Sequence, residues 1–206
     1  LELDRKMHKA ISIIQFKLEG QLIQRRPEFG MDSRLLLDKI DFETGIIRID
    51  GKEYRLEDHY FPTVDPKNPY CLTEEEEAVV ERLKSAFLQC EKLQKHVRFL
   101  FSKGSLYLTY NSNLLYHGCI PLEEDGTFRK VMVNGKEYSG KKLYDILESW
   151  ARKGYYREEG SDKEFGKDIM WYIWSNENSP VYGKTKMATF ERYFIKDKEV
   201  QSEKKN

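Results

Sequence analysis

Residues Ser105–Pro121 read SLYLTYNSNLLYHGCIP: an apolar run, a polar break at Asn111-Ser112-Asn113, a second apolar run, and His117-Gly118 at its end. Alternating apolar residues on both sides of a polar break fit strand structure. The stretch therefore carries an imidazole out to a strand tip, where a glycine follows it. Imidazole is the commonest side-chain metal ligand and the usual base near neutral pH, which makes His117 the candidate ligand. Taken alone, a single histidine is more often a satisfied core or surface residue than a ligand.

Downstream, Glu123-Glu124-Asp125-Gly126 is an acidic turn without the ligand spacing of a calcium loop, so it reads as a solvated turn. TFRKVMV, Asn134-Gly135 and KEYSG spell a hairpin, because both turn positions need positive φ. Leu143, Leu147 and Trp150 share one helical face over 141–153, with Gly154 expected as the cap. Phe165, Ile169 and Ile173 mark another helix, which ends in the polar loop Trp174–Pro180. Gly183-Lys184-Thr185 is not a nucleotide loop, since Asn178 stands where its leading glycine belongs. What remains there is a set of cations, Lys184, Lys186 and Arg192, interleaved with Tyr182, Phe190 and Tyr193. That suits an anionic small molecule, and it suits an ordinary basic surface equally.

Upstream, Leu3, Met7, Ile11, Ile14, Leu18 and Leu22 recur at helical steps until Pro27, and the helix ends in Arg25-Arg26, a pair able to grip phosphate or carboxylate. Leu35–Leu56 reads as strands around the turns Glu43-Thr44-Gly45 and Asp50-Gly51. Residues 57–72 hold three prolines and form an extended connector in which His59 is a loop residue. Thr73 and Glu76 make a capping box. The helix they open carries Val79, Leu83, Ala86, Cys90, Leu93, Val97 and Leu100 at heptad steps, predicting one long helix packed along the first, with Cys90 in its core and His96 on its flank.

Lys plus Arg and Asp plus Glu balance at 35 each, so no global field draws nucleic acid or an anionic membrane. No apolar window reaches bilayer length and no signal peptide opens the chain, so a cytoplasmic setting is expected. Cys71, Cys90 and Cys119 are odd in number and include no CxxC pair, which points to reduced thiols. The start at Leu1 and the polar tail KDKEVQSEKKN, read as unanchored, suggest a piece of a longer polypeptide.

Four runs, KMHKAISIIQFKLEGQLIQRRPEF, HYFPTVDPKNPYCLTEEEEAV, SKGSLYLTYNSNLLYHGCIP and SPVYGKTKMATFERYFI, together resemble class III fructose-1,6-bisphosphatase, the bacterial type with a calcineurin-like metallophosphoesterase fold. LLYHGCIP resembles the HGGLSP-type segment of that superfamily, and IMWYIWSNENSP its LLWSDP-type segment. The superfamily's D-x-H, GDxxDRG and GNH[DE] motifs and its last histidine motif are absent from this chain.

The resemblance implies an α/β fold: a partial four-layer metallophosphoesterase sandwich with long added helices and two β-hairpins. Residues 1–206 would be an internal segment of the catalytic domain, with 1–104 a helical and hairpin addition and 105–206 part of the central sandwich. It further implies His117 as a ligand of a two-metal centre, with manganese the expected divalent metal and most ligands outside the chain. Lys184, Lys186, Arg192, Arg25 and Arg26 are the candidates for the substrate's phosphate. The expected partners are fructose-1,6-bisphosphate, the remainder of the parent polypeptide and a second copy of the chain, with neither nucleic acid nor membrane. The segment by itself is expected to be inactive. Two readings compete: a non-catalytic binding or regulatory module, and a phosphoprotein phosphatase-like hydrolase.

Overall fold

A computed structural model describes residues 2–203 and shows a mixed α/β chain with small antiparallel sheets. It divides into two units, one built from residues 1–91 and 188–202, the other from 92–187 and 203–206.

In the first unit, helix α1 (Glu2–Arg25) forms as its periodicity demands, but only its second half is covered. Ile13, Ile14, Phe16, Leu22 and Ile23 are buried, whereas Leu3, Met7 and Ile11 are exposed. Residues 35–39, expected as strand, instead follow one 3-10 turn, Asp32–Arg34, and form a second, Leu37–Lys39. Leu36 and Leu37 are both buried, and consecutive strand residues point to opposite faces, so a tight turn places the pair where a strand cannot. Then β1 (Ile40–Asp41), β2 (Ile46–Ile49) and β3 (Lys52–Arg55) make an antiparallel meander. Its β2–β3 turn has Asp50 and Gly51 at φ +50° and +76°, as the Asp-Gly pair implies. Ile47 and Ile49 face the core, which Phe16, Phe61, Phe190 and Phe194 close with edge-on ring contacts.

The capping box forms: Thr73 Oγ1 accepts from Glu76 N, and Glu76 Oε2 accepts from Thr73 N. It opens α2 (Glu74–Gln89), after which the expected long helix breaks at Cys90 and restarts as α3 (Glu91–Lys103). Neither proline nor glycine stands at the break. The heptad stripe is not a buried seam: Leu83, Ala86, Cys90 and Leu100 are exposed, and Val79, Leu93 and Val97 are only half-buried. Periodicity reports that a helix has an apolar face, not that something covers it. What joins α2 to α1 is polar, the Lys17–Glu76 ion pair at 2.7 Å.

In the second unit, β4 (Tyr107–Tyr110) and β5 (Asn113–Tyr116) form a hairpin on a two-residue turn, Asn111-Ser112, with φ +48° and +61°. β6 (Val131–Val133) and β7 (Lys136–Tyr138) pair around Asn134-Gly135 as expected. Helices α4 (Gly140–Tyr156) and α5 (Ser161–Ser175) bury Leu143, Leu147, Trp150, Phe165, Ile169 and Tyr172. Gly154 does not cap α4. It lies inside the helix, against Gly166 of α5. Back in the first unit, the short helix α6 (Thr189–Phe194) buries Phe190, Glu191 and Phe194. The tail is anchored rather than free through Glu203: Val200 is buried, and Glu203 pairs with Lys184 at 2.7 Å. Its last three residues lie outside those described. Among the described residues, no helix is long and apolar enough to cross a membrane.

Candidate functional site

His117 reaches its place through the β4–β5 hairpin. Tyr107 and Tyr116, directly opposed in the ladder, set their rings edge-on to Tyr144 of α4 at 5.6 and 6.5 Å. Tyr107 also donates to Asp145 at 2.9 Å. Side chains alternate across a strand, so Leu108, Tyr110 and Leu115 occupy the other face, where all three are exposed.

Immediately past the hairpin the chain is locked to the loop that follows α5. Gly118 has φ +92°, and a Cβ there would lie 2.5 Å from both the Pro180 and the Val181 carbonyl oxygens. Only glycine fits, by conformation and by space. Cys119 N donates to Pro180 O at 2.9 Å, and the Tyr144 hydroxyl donates to Cys119 O at 2.8 Å. The partner loop is itself shaped by buried polar groups. Asn176 Oδ1 accepts from Asn178 N, while the Ser179 hydroxyl donates to Ile173 O at 2.6 Å and accepts from Val181 N. Asn176 and Ser179 are buried, so these bonds define one loop geometry. Arg129 spans the joint: its backbone N–H donates to Pro121 O at 3.0 Å, and its guanidinium donates to Asn178 Oδ1 at 3.2 Å. Burial pushes the Cys119 thiol above its ordinary range, against the field of Arg129, so it stays protonated at neutral pH.

The His117 ring is exposed at the rim of this joint rather than buried in an apolar cluster. Among the described residues, no group of three or more His, Cys, Asp and Glu is placed to hold a metal. The proposed cations are divided. Lys184 and Lys186 share the unit of His117, while Arg25, Arg26 and Arg192 belong to the other. Lys184 is ion-paired with Glu203, and Arg26 lies 3.7 Å from Glu28. Sequence reasoning passed over Arg129 and the Gly118–Pro180 contact. Its one available signal was that the two superfamily-like segments each end beside this joint.

These features define a mixed α/β segment whose strand-tip histidine is held by a loop joint of fixed geometry. The chain belongs to the Firmicute fructose-1,6-bisphosphatase family, whose family model matches residues 1–206. It is 59% identical over 209 residues to a protein of Alkaliphilus metalliredigens named fructose-1,6-bisphosphatase class 3, covering 100% of this chain and 31% of that protein. Proteins of the same name from Clostridium novyi and Bacteroides thetaiotaomicron are each 56% identical, over 207 and 206 residues, again covering 100% of this chain and 31% of theirs. The chain thus spans about 31% of the length of the curated relatives it matches. No solved structure matches it.

Proposed function

We propose that the polypeptide carrying this chain hydrolyses fructose-1,6-bisphosphate at its 1-phosphate, as a cytoplasmic enzyme of gluconeogenesis. The observation that carries the reading is full-length coverage of this chain by relatives of that name at more than half identity. His117 supplies one imidazole to a divalent-metal centre, manganese in this reading. An exposed ring on a rigid loop fits that role, and in this reading the other ligands come from elsewhere in the polypeptide, as the family resemblance implies. When bound, such cations polarise the phosphoryl group and lower the pKa of the attacking water.

This chain's own part is positional. Gly118, Cys119 and the Ser179–Val181 loop hold the backbone next to His117 in one conformation, so that the segment carrying the imidazole is ordered in advance. The substrate's remaining phosphate is bound by cations drawn from Lys184, Lys186, Arg192, Arg25 and Arg26; Lys184 serves only on releasing Glu203. In this reading the chain is an internal segment of a metallophosphoesterase catalytic domain, with 1–104 an addition and 105–206 part of a four-layer sandwich. The open apolar face of Leu108, Tyr110 and Leu115 is where the rest of that sandwich, or a second copy, is to be sought.

Phosphate release tests the proposal. The polypeptide of the relatives' length, with manganese, should hydrolyse fructose-1,6-bisphosphate, and His117→Ala should cut turnover about 100-fold or more. The 206-residue chain alone should release none. A full-length protein that releases no phosphate would favour the non-catalytic module, preference for a phosphoserine peptide would favour the protein phosphatase, and turnover by the isolated chain would overturn the assignment of ligands.

A further inference from the structure

Resting on that reading of His117, we propose that Arg129 is a positioning residue of the site: it clamps the segment leaving His117 to the loop after α5. The two strands of the joint come from distant parts of the chain, and few groups bridge them. Cys119 N to Pro180 O is one backbone bond, and the Gly118 contact excludes a side chain without itself bonding. Arg129 adds the side-chain brace. Its backbone holds Pro121, four residues past His117, while Nη1 holds Asn178 on the opposite loop.

The guanidinium is itself oriented. Glu123 sits 3.4 Å from Nε, on the turn that leads from Pro121 back to Arg129, and Gly126 and Thr127 close that turn by backbone bonds with Glu123. The planar fork therefore ties two points, the acidic turn and Asn178, a geometry that a lysine ammonium cannot reproduce, while the backbone of the same residue holds the Pro121 segment. Asn178 in turn takes its backbone geometry from the buried Asn176 side chain, so the clamp pulls against a rigid post. The acidic run 123–126, without ligand spacing for calcium, acquires a role as the support of this arginine.

The test uses the full-length polypeptide with Arg129→Gln, Arg129→Lys, Asn178→Leu and the Arg129→Gln/Asn178→Leu double variant. Hydrogen exchange is the readout that does not depend on activity. In Arg129→Gln the amides of Cys119 and Ile120, and of Asn178, Ser179, Val181 and Tyr182, should exchange about tenfold faster, with those of α4 and α5 unchanged, because the opening is local. On fructose-1,6-bisphosphate kcat should fall about tenfold or more with KM within threefold, since the arginine acts through His117 and not on the substrate. Arg129→Lys should recover part of the loss, and the double variant should be no worse than Arg129→Gln, because both remove one bond. Unchanged exchange at Cys119 and Ile120 overturns the clamp. Faster exchange with unchanged kcat overturns its catalytic role, and a rise in KM alone makes Arg129 a substrate-binding cation instead. A wild type that releases no phosphate overturns the bisphosphatase reading, and with it the catalytic role given to Arg129, whatever its amides do.

Discussion

A Lys17→Ala variant is expected to lose about 3–5 kcal/mol from the first unit, because it strands a buried carboxylate. Lys17 is 0% and Glu76 6% exposed. The ammonium donates to Glu76 Oε2 at 2.7 Å and to Thr63 O, so it links α1, the proline-rich connector and the cap of α2 at one point. Burial pushes the Glu76 carboxyl up, but the bonds from Lys17, Thr63 and the Thr73 backbone outweigh it and hold the group below its ordinary range. The sign follows. A depressed folded pKa stabilises the fold above the ordinary glutamate value of 4.5, and that contribution drains away as pH falls below it through the folded value. Chemical denaturation of the wild type, followed by exchange of the α1 amides, should therefore show stability dropping below pH 4.5. In Lys17→Ala the carboxyl no longer has its cation, so that acid-dependent loss should shrink. The Lys17→Met/Glu76→Leu pair should recover most of the deficit, less about 1 kcal/mol for the lost cap. A Lys17→Ala protein as stable as wild type would show that the pair is not what fastens α2.

Gly166→Ala should cost the second unit about 1–3 kcal/mol, although alanine is the better helix former by about 1 kcal/mol. A Cβ at Gly166 would meet Gly154 N and Trp150 O at 2.4 Å, and one at Gly154 would meet the Gly166 carbonyl carbon at 2.5 Å. Both obstacles are helix backbone, so relief requires the two helices to move apart. That separation would open the contact of Trp150 with Phe165, whose rings lie 4.7 Å apart. All three tryptophans, Trp150, Trp171 and Trp174, lie in α4 and α5. Intrinsic fluorescence therefore reports this unit alone, and its thermal midpoint should fall by roughly 4–24 °C, at about 4–8 °C per kcal/mol for a unit of this size. An unchanged midpoint would mean that α4 and α5 are not in backbone contact.

What could be read from the sequence was whatever local chemistry decides. Asp50-Gly51 and Asn134-Gly135 adopt the positive φ values their side chains allow, and the Thr73–Glu76 box closes within one turn. Residues 35–39 depart from the strand expectation because the unbroken apolar run Leu35–Leu37 carries no period to separate a strand from tight turns. The α2–α3 stripe was misread for a different reason: its spacing was correct, and its burial depended on a neighbour that spacing cannot reveal. At the site, His117 at a strand tip was legible. The joint of Gly118 with Pro180 was not, since it links residues some sixty positions apart and leaves no periodic trace. Arg129 was hidden for the same reason.

The most direct test of the central claim, that His117 is one ligand of a metal centre completed outside this chain, is a crystal structure of the relatives' full-length form soaked in manganese. An anomalous peak at coordination distance from the His117 imidazole, with its remaining ligands drawn from residues beyond these 206, is the expected result. Metal ions bound elsewhere, with the His117 ring still facing solvent, would contradict it.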